Sequence, residues 1–325
     1  HAGRTVVESL ETNGIDHEVF HEVSIEPTDV SFRAAADAAV AGEFDAFVAV
    51  GGGSTIDTAK AANLYCTYPD DFLAYVNPPI GLGKPVPGKL KPLIAIPTTA
   101  GTGSETTGVS IFDLEEMQAK TGIAHRALRP IMGIVDPDNT RTMPKLTAAC
   151  TGLDVLTHAL ESLTALPYNQ RPAPERLELR PAYQGANPIS DIWASKAVQL
   201  VSQYLVRAVH DPEDDEARGQ MMMAATIAGI GFGNAGVHLP HGMSYPVAGM
   251  VRDFWPEGYP VDHPMVPHGM AVVVNAPAVF RFTAPSNPNL HLQAAELMGA
   301  DISDAGPDDA GEVLAQQLIE IMRDT

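Results

Sequence analysis

The stretch Phe44–Asp57, FDAFVAVGGGSTID, largely decides the expected fold of this chain. A mainly apolar run, of the length of one buried strand, leads directly into Gly51-Gly52-Gly53, and the residues that follow continue as a predicted helix through Ala62. Glycines allow backbone N–H groups to approach a phosphate, and the N-terminus of a helix adds a partial positive charge. The stretch therefore predicts a strand–turn–helix unit with a candidate phosphate-binding turn. An ordinary tight turn remains the alternative, because the spacing matches neither GxGxxG nor GK[ST].

The elements around this stretch predict two domains of different character. In the first part, short apolar runs are separated by helical segments, which indicates βαβ units and a parallel sheet. From Lys145 onward, helices with long apolar faces dominate. The predicted helices are Arg4–Asn13, Ser31–Ala41, Lys145–Leu166, Ile189–Val209, Glu216–Gly229 and Asp308–Arg323, and the further strands are His17–Val23, Pro92–Pro97 and Ile131–Val135. We therefore predict an α/β domain with a parallel sheet over residues 1–143, followed by an all-α domain over residues 144–325.

Composition restricts the class of partner. The chain has 20 Lys and Arg against 40 Asp and Glu, a formal net charge of -20. Binding to nucleic acid or to an anionic membrane surface needs a basic face, so neither is an expected partner. Because cationic side chains are scarce, an anionic ligand is expected to be held mainly by backbone donors. The two cysteines are too few for a disulfide framework or a thiolate metal cluster.

The ends of the chain and its hydropathy bear on targeting. No apolar run approaches the roughly 20 residues of a transmembrane helix. The chain starts at His1 with neither an initiator Met nor a signal-peptide pattern, so we expect it to be a fragment or a processed form.

A second polar loop follows the predicted strand Pro92–Pro97. Its sequence, from Pro97 to Glu105, is PTTAGTGSE, which is small and rich in hydrogen-bond donors. Ligands of open α/β sheets bind outside the carboxyl ends of the strands. This loop and the glycine turn are therefore expected to face one dinucleotide across a crevice, the alternative being a simple Ser/Thr/Gly connector.

Four residues of the second half form a candidate metal site. Asp154 and His158 are four residues apart on one helix, which puts them on the same face. His241 and His268 each precede a glycine and begin an apolar segment. One carboxylate with neutral imidazoles suits Fe(II) or Zn(II) rather than Ca²⁺ or Mg²⁺. For each residue alone, a surface Asp–His hydrogen bond or a satisfied core histidine is the alternative.

These motifs, taken together and in this order, resemble the iron-containing alcohol dehydrogenase family. The matching segments are GGGSTID at 51–57, PTTAGTGSE at 97–105, GLDVLTHALE at 152–161, HGM at 241–243 and PHG at 267–269. Within that family, HLPHGMSYP at 238–246 and YPVDHP at 259–264 most resemble the hydroxyacid-oxoacid transhydrogenase branch.

The resemblance implies a dinucleotide-binding domain, a helical metal-binding domain and an active site in the cleft between them. It implies that the metal ligands are Asp154, His158, His241 and His268. It also implies that the pyrophosphate is cradled by Gly51, Gly52, Gly53 and Ser54, and that the remaining cofactor contacts come from Asp57, Thr98, Thr99, Thr102, Ser104 and Lys120. The implied cofactors are Fe(II), with Zn(II) as the alternative, and NAD or NADP.

Three departures from the family pattern concern the substrate and the chain ends. Tyr245 stands where alcohol dehydrogenases usually have a further histidine, so Tyr245 is the candidate catalytic residue through its phenol, the alternative being a residue that only packs. The segment between His241 and His268 is longer than usual and contains Arg252, Trp255 and His263; Arg252 and Arg171 are candidates for binding a substrate carboxylate. Family members extend further at both ends, so parts of both domains are expected to be missing.

The resemblance implies an NAD(P)-linked, metal-dependent oxidoreductase of the transhydrogenase type. It would move hydride between an alcohol or hydroxy acid and an aldehyde or oxo acid. The alternatives are an ordinary iron-containing alcohol dehydrogenase or aldehyde reductase with freely exchanging NAD(P), a lyase resembling dehydroquinate synthase, a metal-dependent hydrolase, and a catalytically silent binding protein. We also expect small-molecule substrates and a homo-oligomer (a dimer). The expected location is the cytoplasm, or the mitochondrial matrix in a eukaryote.

Overall fold

The computed structural model describes residues 2–176 and 180–325, which fold as two compact units. The first unit consists of His1–Thr99 and Ser104–Thr140, and the second of Ala100–Gly103 and Arg141–Thr325. The predicted domains, 1–143 for dinucleotide binding and 144–325 for metal binding, stay predictions as functional divisions.

The first unit is built on a three-stranded parallel sheet. Its elements are α1 (Ala2–Thr12), α2 (Asp29–Gly42), β1 (Phe47–Gly51), α3 (Gly53–Thr67), β2 (Leu93–Pro97), β3 (Val109–Leu114), β4 (Ala119–Ala124) and β5 (Met132–Gly133). The order in the sheet is β1-β2-β5, and the register pairs Gly51 with Pro97 and Ile94 with Met132. The predicted parallel α/β architecture is therefore confirmed.

Two parts of the strand prediction differ from the structure. The strand predicted at His17–Val23 is wrong: these residues have no regular secondary structure, and Val19 and Phe20 are exposed. A strand needs a partner for its backbone hydrogen bonds, and alternating residues alone do not supply one. Conversely, the antiparallel hairpin β3–β4 was not predicted, because its turn at residues 115–118 has no Gly, Asn or Pro to mark it.

The core of the first unit explains how α2 and α3 are fixed. Thr28 caps α2 reciprocally with Ser31: the Thr28 hydroxyl accepts from the Ser31 N–H at 3.2 Å, and the Ser31 hydroxyl accepts from the Thr28 N–H at 2.9 Å. The helix then buries Phe32 against Phe112 of β3, with ring centroids 5.2 Å apart. Leu64 of α3 joins the same apolar cluster. Both helices are thereby held by β3, the strand that the sequence did not reveal.

The second unit is helical, as predicted. Its helices are α4 (Lys145–Thr164), α5 (Pro188–His210), α6 (Asp215–Ala235), α7 (Leu239–Met250), α8 (His268–Val273), α9 (Ala276–Thr283), α10 (Pro288–Leu297) and α11 (Ala310–Asp324). In the described residues no single helix is long and apolar enough to cross a membrane, although α6 and α7, bent by 103°, meet that test as a pair.

Helix α4 lies at the centre of the second unit. Leu156 and Leu160 of α4 are fully buried and belong to one apolar cluster with Val201 and Leu205 of α5 and Met222 of α6. A helix packed on so much of its surface has little solvent-facing area left, so its polar side chains are buried too. Burial of that kind requires that each charged group have a specific partner. The buried charged side chains of α4 therefore form the candidate site.

Candidate functional site

Three titratable side chains lie on one face of α4. Asp154, His158 and Glu161 are spaced by four and three residues, and all three are buried, Glu161 completely. His241 lies in the first turn of α7 and is also buried, and His268 is the first residue of α8. The candidate site is therefore formed by one long central helix and the N-terminal ends of two shorter ones.

The carboxylate of Asp154 is the point on which the three histidines converge. Its Oδ1 atom is 3.5 Å from Nε2 of His241 and 3.8 Å from Nε2 of His268. Its Oδ2 atom is 3.7 Å from Nδ1 of His158. The ligating atoms of Asp154, His241 and His268 all lie within 4.8 Å of one another, while His158 is outside that group. The structure thus brings the four sequence-predicted ligands together, three of them as one set.

Unsatisfied polar atoms test whether this set fits a metal ion. Among the described residues, Oδ1 of Asp154, Nδ1 of His158 and Nε2 of His241 are buried without a hydrogen-bond partner. Leaving a buried polar atom unpaired costs about 1–3 kcal/mol. Three such atoms in one cluster make an arrangement that a cation would stabilise. A carboxylate oxygen with imidazole nitrogens is a borderline donor set, so these residues fit Fe(II) or Zn(II).

The protonation of the cluster follows from burial and neighbouring charge. Burial lowers the pKa of His158 to about 3. Burial opposes ionisation of Asp154, but His158, His268 and His241 outweigh it and hold the pKa of this carboxyl below its usual range. Burial alone would lower the pKa of His241, yet Glu161 and Asp154 raise it to about 10. In the metal-free protein, the cationic imidazole of His241 therefore lies between two carboxylates.

Sequence analysis did not assign a role to Glu161. Its Oε1 atom accepts hydrogen bonds from the backbone N–H groups of His238, at 2.7 Å, and His241, at 3.3 Å. Its Oε2 atom pairs with Nδ1 of His241. The carboxylate therefore holds both the ring and the backbone of His241. The signals in the sequence were its spacing, three residues after His158 on the same helix face, and its place as the last residue of the matching segment 152–161.

The glycine-rich turn in the first unit has the conformation that its sequence predicts. Strand β1 ends at Gly51, whose carbonyl accepts from the N–H of Thr98 at 3.0 Å. A Cβ on Gly52 would lie 3.3 Å from the side chain of Thr99, and one on Gly51 would collide with the side chain of Thr55. The turn after β1 thus lies against the turn after β2, with Gly52 in close contact with Thr99, while Gly51 leaves room for the side chain of Thr55 in α3.

Helix α3 begins at the end of this turn. Gly52 is its N-cap and Ser54 lies in its first turn. The first N–H groups of a helix have no acceptor within the helix, so they are suited to binding an anion. Cofactor contacts of Gly51, Gly52, Gly53, Ser54, Thr98 and Thr99 stay predictions that this geometry favours. Thr102 belongs to the second unit.

Asp57 and Ser104 take part in a network around a buried lysine. Oδ1 of Asp57 accepts from the Ser104 hydroxyl at 2.5 Å and from Nζ of Lys60 at 3.3 Å, and Oδ2 accepts from the Ile111 N–H at 2.9 Å. Nζ of Lys60, fully buried, also donates to the carbonyl of Val109 at 2.7 Å. Burial lowers the pKa of Lys60, and Asp57 opposes this. Asp57 and Ser104 therefore brace the start of β3 against α3, while their direct contact with a cofactor stays a prediction.

Lys120 lies in a separate ion-pair cluster. Its Nζ is 2.7 Å from Oε2 of Glu26 and 3.1 Å from the carboxylate of Asp113, and the side chain is buried. These carboxylates outweigh burial and raise the pKa of Lys120 above its usual range. The predicted cofactor contact of Lys120 stays a prediction, with its ammonium already held by two carboxylates.

The predicted catalytic residue and the two arginines predicted to bind substrate all lie in the second unit. Tyr245 follows His241 by one turn of α7, and its catalytic role stays a prediction. Nη1 of Arg252 donates to the carbonyls of Gly249 and Val251, both at 2.8 Å, and Nη1 of Arg171 donates to the carbonyl of Tyr183 at 2.9 Å. Both guanidinium groups thus bond to backbone carbonyls, and their binding of a substrate carboxylate stays a prediction.

Comparisons with known proteins agree with this architecture. The family model described as "Iron-containing alcohol dehydrogenase" matches residues 2–137, and the model "Fe-containing alcohol dehydrogenase family, C-terminal" matches residues 182–325. The chain is 58% identical over 323 residues to "Hydroxyacid-oxoacid transhydrogenase, mitochondrial" of Bos taurus, covering 99% of this chain and 69% of that protein. The protein of the same name from Homo sapiens is 56% identical over 323 residues, with the same coverage.

Solved structures give the same result. A 1,3-propanediol oxidoreductase is similar with a TM-score of 0.83 and 28% sequence identity, covering 99% of this chain and 75% of that one. A sulfoacetaldehyde reductase from Bifidobacterium kashiwanohense, in complex with NAD+, has a TM-score of 0.75 and 29% identity, covering 99% and 76%.

Proposed function

The chain belongs to the iron-containing alcohol dehydrogenase family, and from this premise we propose that it transfers hydride between a hydroxy acid and an oxo acid. As a member of this family it is an oxidoreductase that uses iron and NAD(H) and acts on small molecules. The transhydrogenase reaction is supported by one observation above the others: identity of 58% over 323 residues to proteins named hydroxyacid-oxoacid transhydrogenase.

We propose that the metal binds at the carboxylate and imidazole cluster around α4. The ligands would be Asp154, His241 and His268, with His158 as the fourth. Iron in this position supplies a Lewis acid for the oxygen of the substrate's hydroxyl or carbonyl group, and bound NAD supplies the hydride acceptor or donor. The protein contributes the anionic carboxylate of Asp154, held within 4 Å of each of the histidines.

The proposal assigns cofactor binding to the start of α3. Backbone N–H groups of the turn Gly51–Ser54 would hold the pyrophosphate, in keeping with the scarcity of Lys and Arg in the chain. The convergence of the turns after β1 and β2 supports this position, since ligands of parallel sheets bind at the carboxyl ends of strands.

A coupled assay tests the transhydrogenase reaction. The purified metal-loaded protein, with whatever nucleotide it retains, would be incubated with 4-hydroxybutyrate and 2-oxoglutarate without added cofactor. We expect 2-hydroxyglutarate to form in amounts that exceed the bound nucleotide, because the same nucleotide is reduced and reoxidised in place. If no 2-hydroxyglutarate forms while added NAD is reduced by the alcohol, the protein is an ordinary alcohol dehydrogenase with an exchangeable cofactor.

The cellular setting is proposed on similar grounds. The relatives from animals are named as mitochondrial proteins, which supports the mitochondrial matrix for this protein if its source is a eukaryote, and gives no support to the cytoplasm. We also propose a homodimer, which light scattering of the purified protein would test against a monomer.

A further inference from the structure

Glu161 is a buried carboxylate whose described hydrogen-bond donors all lie between His238 and His241. We infer that Glu161 is a positioning residue: it fixes the tautomer and the orientation of the His241 ring, and through them the affinity of the site for its metal. The inference rests on the proposed role of His241 as a ligand. Glu161 is fully buried and its oxygens already pair with two backbone N–H groups and one ring nitrogen, so its role is assigned through His241 and not through contact with substrate.

The contact with Glu161 decides which nitrogen of the His241 ring carries a proton. An ionised carboxylate only accepts hydrogen bonds, so a ring nitrogen paired with it must carry the proton. Nδ1 of His241 is paired with Oε2 of Glu161, so when a metal ion displaces one proton from the cationic ring, Nε2 is the nitrogen left to offer a lone pair. Nε2 is the atom that lies 3.5 Å from Oδ1 of Asp154, on the side of the cluster. Glu161 thus selects the tautomer that a metal ligand requires.

Glu161 also holds the backbone that carries this ring. His238 is the N-cap of α7 and His241 lies in the first turn, where N–H groups have no acceptor within the helix. Oε1 of Glu161 accepts from both of these N–H groups. Helix α7 is therefore anchored to the C-terminal part of α4, one turn beyond His158, and one carboxylate holds these two ligand-bearing helices together.

The substitution Glu161→Gln changes these hydrogen bonds while keeping the size and the burial of the side chain. A carboxamide has almost the same shape, but one of its two polar atoms is a donor. If its oxygen faces the backbone N–H groups, its NH2 group faces Nδ1, and the ring proton moves to Nε2, where it blocks coordination. If the amide is reversed, its NH2 group opposes the N–H of His238. The first orientation therefore reverses the hydrogen bond to Nδ1, and the second loses both hydrogen bonds from the backbone N–H groups.

The experiment compares metal affinity in three proteins: wild type, Glu161→Gln and Ser162→Ala. Ser162 is the neighbouring, fully buried residue, and its hydroxyl has no hydrogen-bond partner in the described part of the chain, so its removal controls for disturbance of α4. Each metal-free protein would be titrated with Zn(II) and, without oxygen, with Fe(II), in competition with a chelator. Thermal melting of the metal-free forms reports whether each variant is folded.

We expect Glu161→Gln to weaken metal binding by about 10–100-fold, the usual cost of losing such a supporting carboxylate, and Ser162→Ala to leave it within twofold of wild type. Wild-type affinity in a folded Glu161→Gln protein would overturn the inference while leaving the proposed function intact. A wild-type protein that binds neither metal would overturn both the ligand assignment and the inference.

A second measurement does not depend on the variant being folded. In wild-type protein loaded with Zn(II) and labelled with ¹⁵N at histidine, we expect the His241 ring to be protonated at Nδ1 and to coordinate through Nε2. A purely structural Glu161 would not set the ring tautomer, and finding Nδ1 as the coordinating nitrogen would rule out the inference.

Discussion

Gly269 lies against the backbone carbonyl of Cys150, so closely that a Cβ in its place would overlap the carbonyl oxygen. Cys150 is one turn before Asp154 on α4, and Gly269 directly follows His268 at the start of α8. The glycine therefore sets how near α8 approaches α4, and with it the distance from His268 to the Asp154 carboxylate. Gly242, which follows His241, makes no comparable close contact, because a Cβ in its place would meet nothing within 4 Å.

Changing Gly269 to Ala should displace α8 and weaken metal binding. The backbone of Cys150 cannot move without moving α4, so His268 is expected to shift away from Asp154, and we expect metal affinity to fall at least about tenfold. Gly242→Ala is the matched control; it should leave affinity unchanged and keep or raise the unfolding free energy, by up to about 1 kcal/mol, as for glycine inside a helix. Chelator competition measures the first effect and urea unfolding the second. Equal affinities for the two variants would show that the close packing of Gly269 is not required.

Changing Lys60 to Met should destabilise the first unit strongly. The ammonium of Lys60 is fully buried and binds Asp57, Ser104 and the carbonyl of Val109, so its removal leaves buried acceptors unpaired. We expect a loss of about 3–5 kcal/mol in the free energy of unfolding, the range found when one partner of a buried ion pair is removed. Urea unfolding followed by circular dichroism measures this loss.

The exposed ion pair of Lys84 with Asp70 provides the control for that substitution. Ion pairs in contact with water contribute little, because solvent screens them. Lys84→Met should therefore unfold close to wild type. If Lys60→Met did the same, the buried network would not be a source of stability.

The stability of the second unit should fall as the medium becomes mildly acidic, in part because of His291. This fully buried ring bonds to the Thr283 hydroxyl and to the carbonyl of Asn287, both at 2.9 Å. Burial lowers its pKa below the value of 6.5 for an exposed histidine, while the Asn287 carbonyl opposes this. The folded state consequently binds fewer protons than the unfolded state once the pH falls below about 6.5, and the unfolding free energy decreases with falling pH.

His291→Gln removes this proton linkage. Each unit by which the folded-state pKa is lowered corresponds to about 1.4 kcal/mol, so the variant should lose less stability than wild type between pH 7.5 and pH 5. Urea unfolding at the two pH values measures the difference between the two losses. Parallel losses in both proteins would assign the pH dependence to other groups.

Changing Gly51 to Ala should weaken nucleotide binding. The added Cβ would overlap the side chain of Thr55 in the first turn of α3 and move the N–H groups that are proposed to hold the pyrophosphate. We expect at least a tenfold rise in the dissociation constant for NADH, measured by fluorescence titration of the metal-loaded protein. Gly3→Ala is the control, because a Cβ there meets nothing within 4 Å. Unchanged NADH binding in Gly51→Ala would argue against the turn as the phosphate site.

The local features of this protein were determined by short stretches of sequence. The glycine turn after β1 and the spacing of Asp154 and His158 on α4 depend on residues within one or two turns of each other, so period and composition were enough to predict them. The helices of the second half were predicted for the same reason. The strand expected at His17–Val23 shows the limit of local pattern, since alternation without a neighbouring strand did not produce one.

Only the tertiary structure decided which polar groups meet. Glu161 and His241 are 80 residues apart, and Lys60 and Ser104 are 44 apart. No pattern along the chain identifies such partners, because they are selected by the packing of whole helices and strands. The same packing buries α4 and deprives its carboxylates and imidazoles of water, so that each is stable only with its particular partner. The sequence alone therefore determined most of the helices, the strands of the parallel sheet and the types of candidate ligand, and the fold determined which of these groups come together and which contact another residue instead.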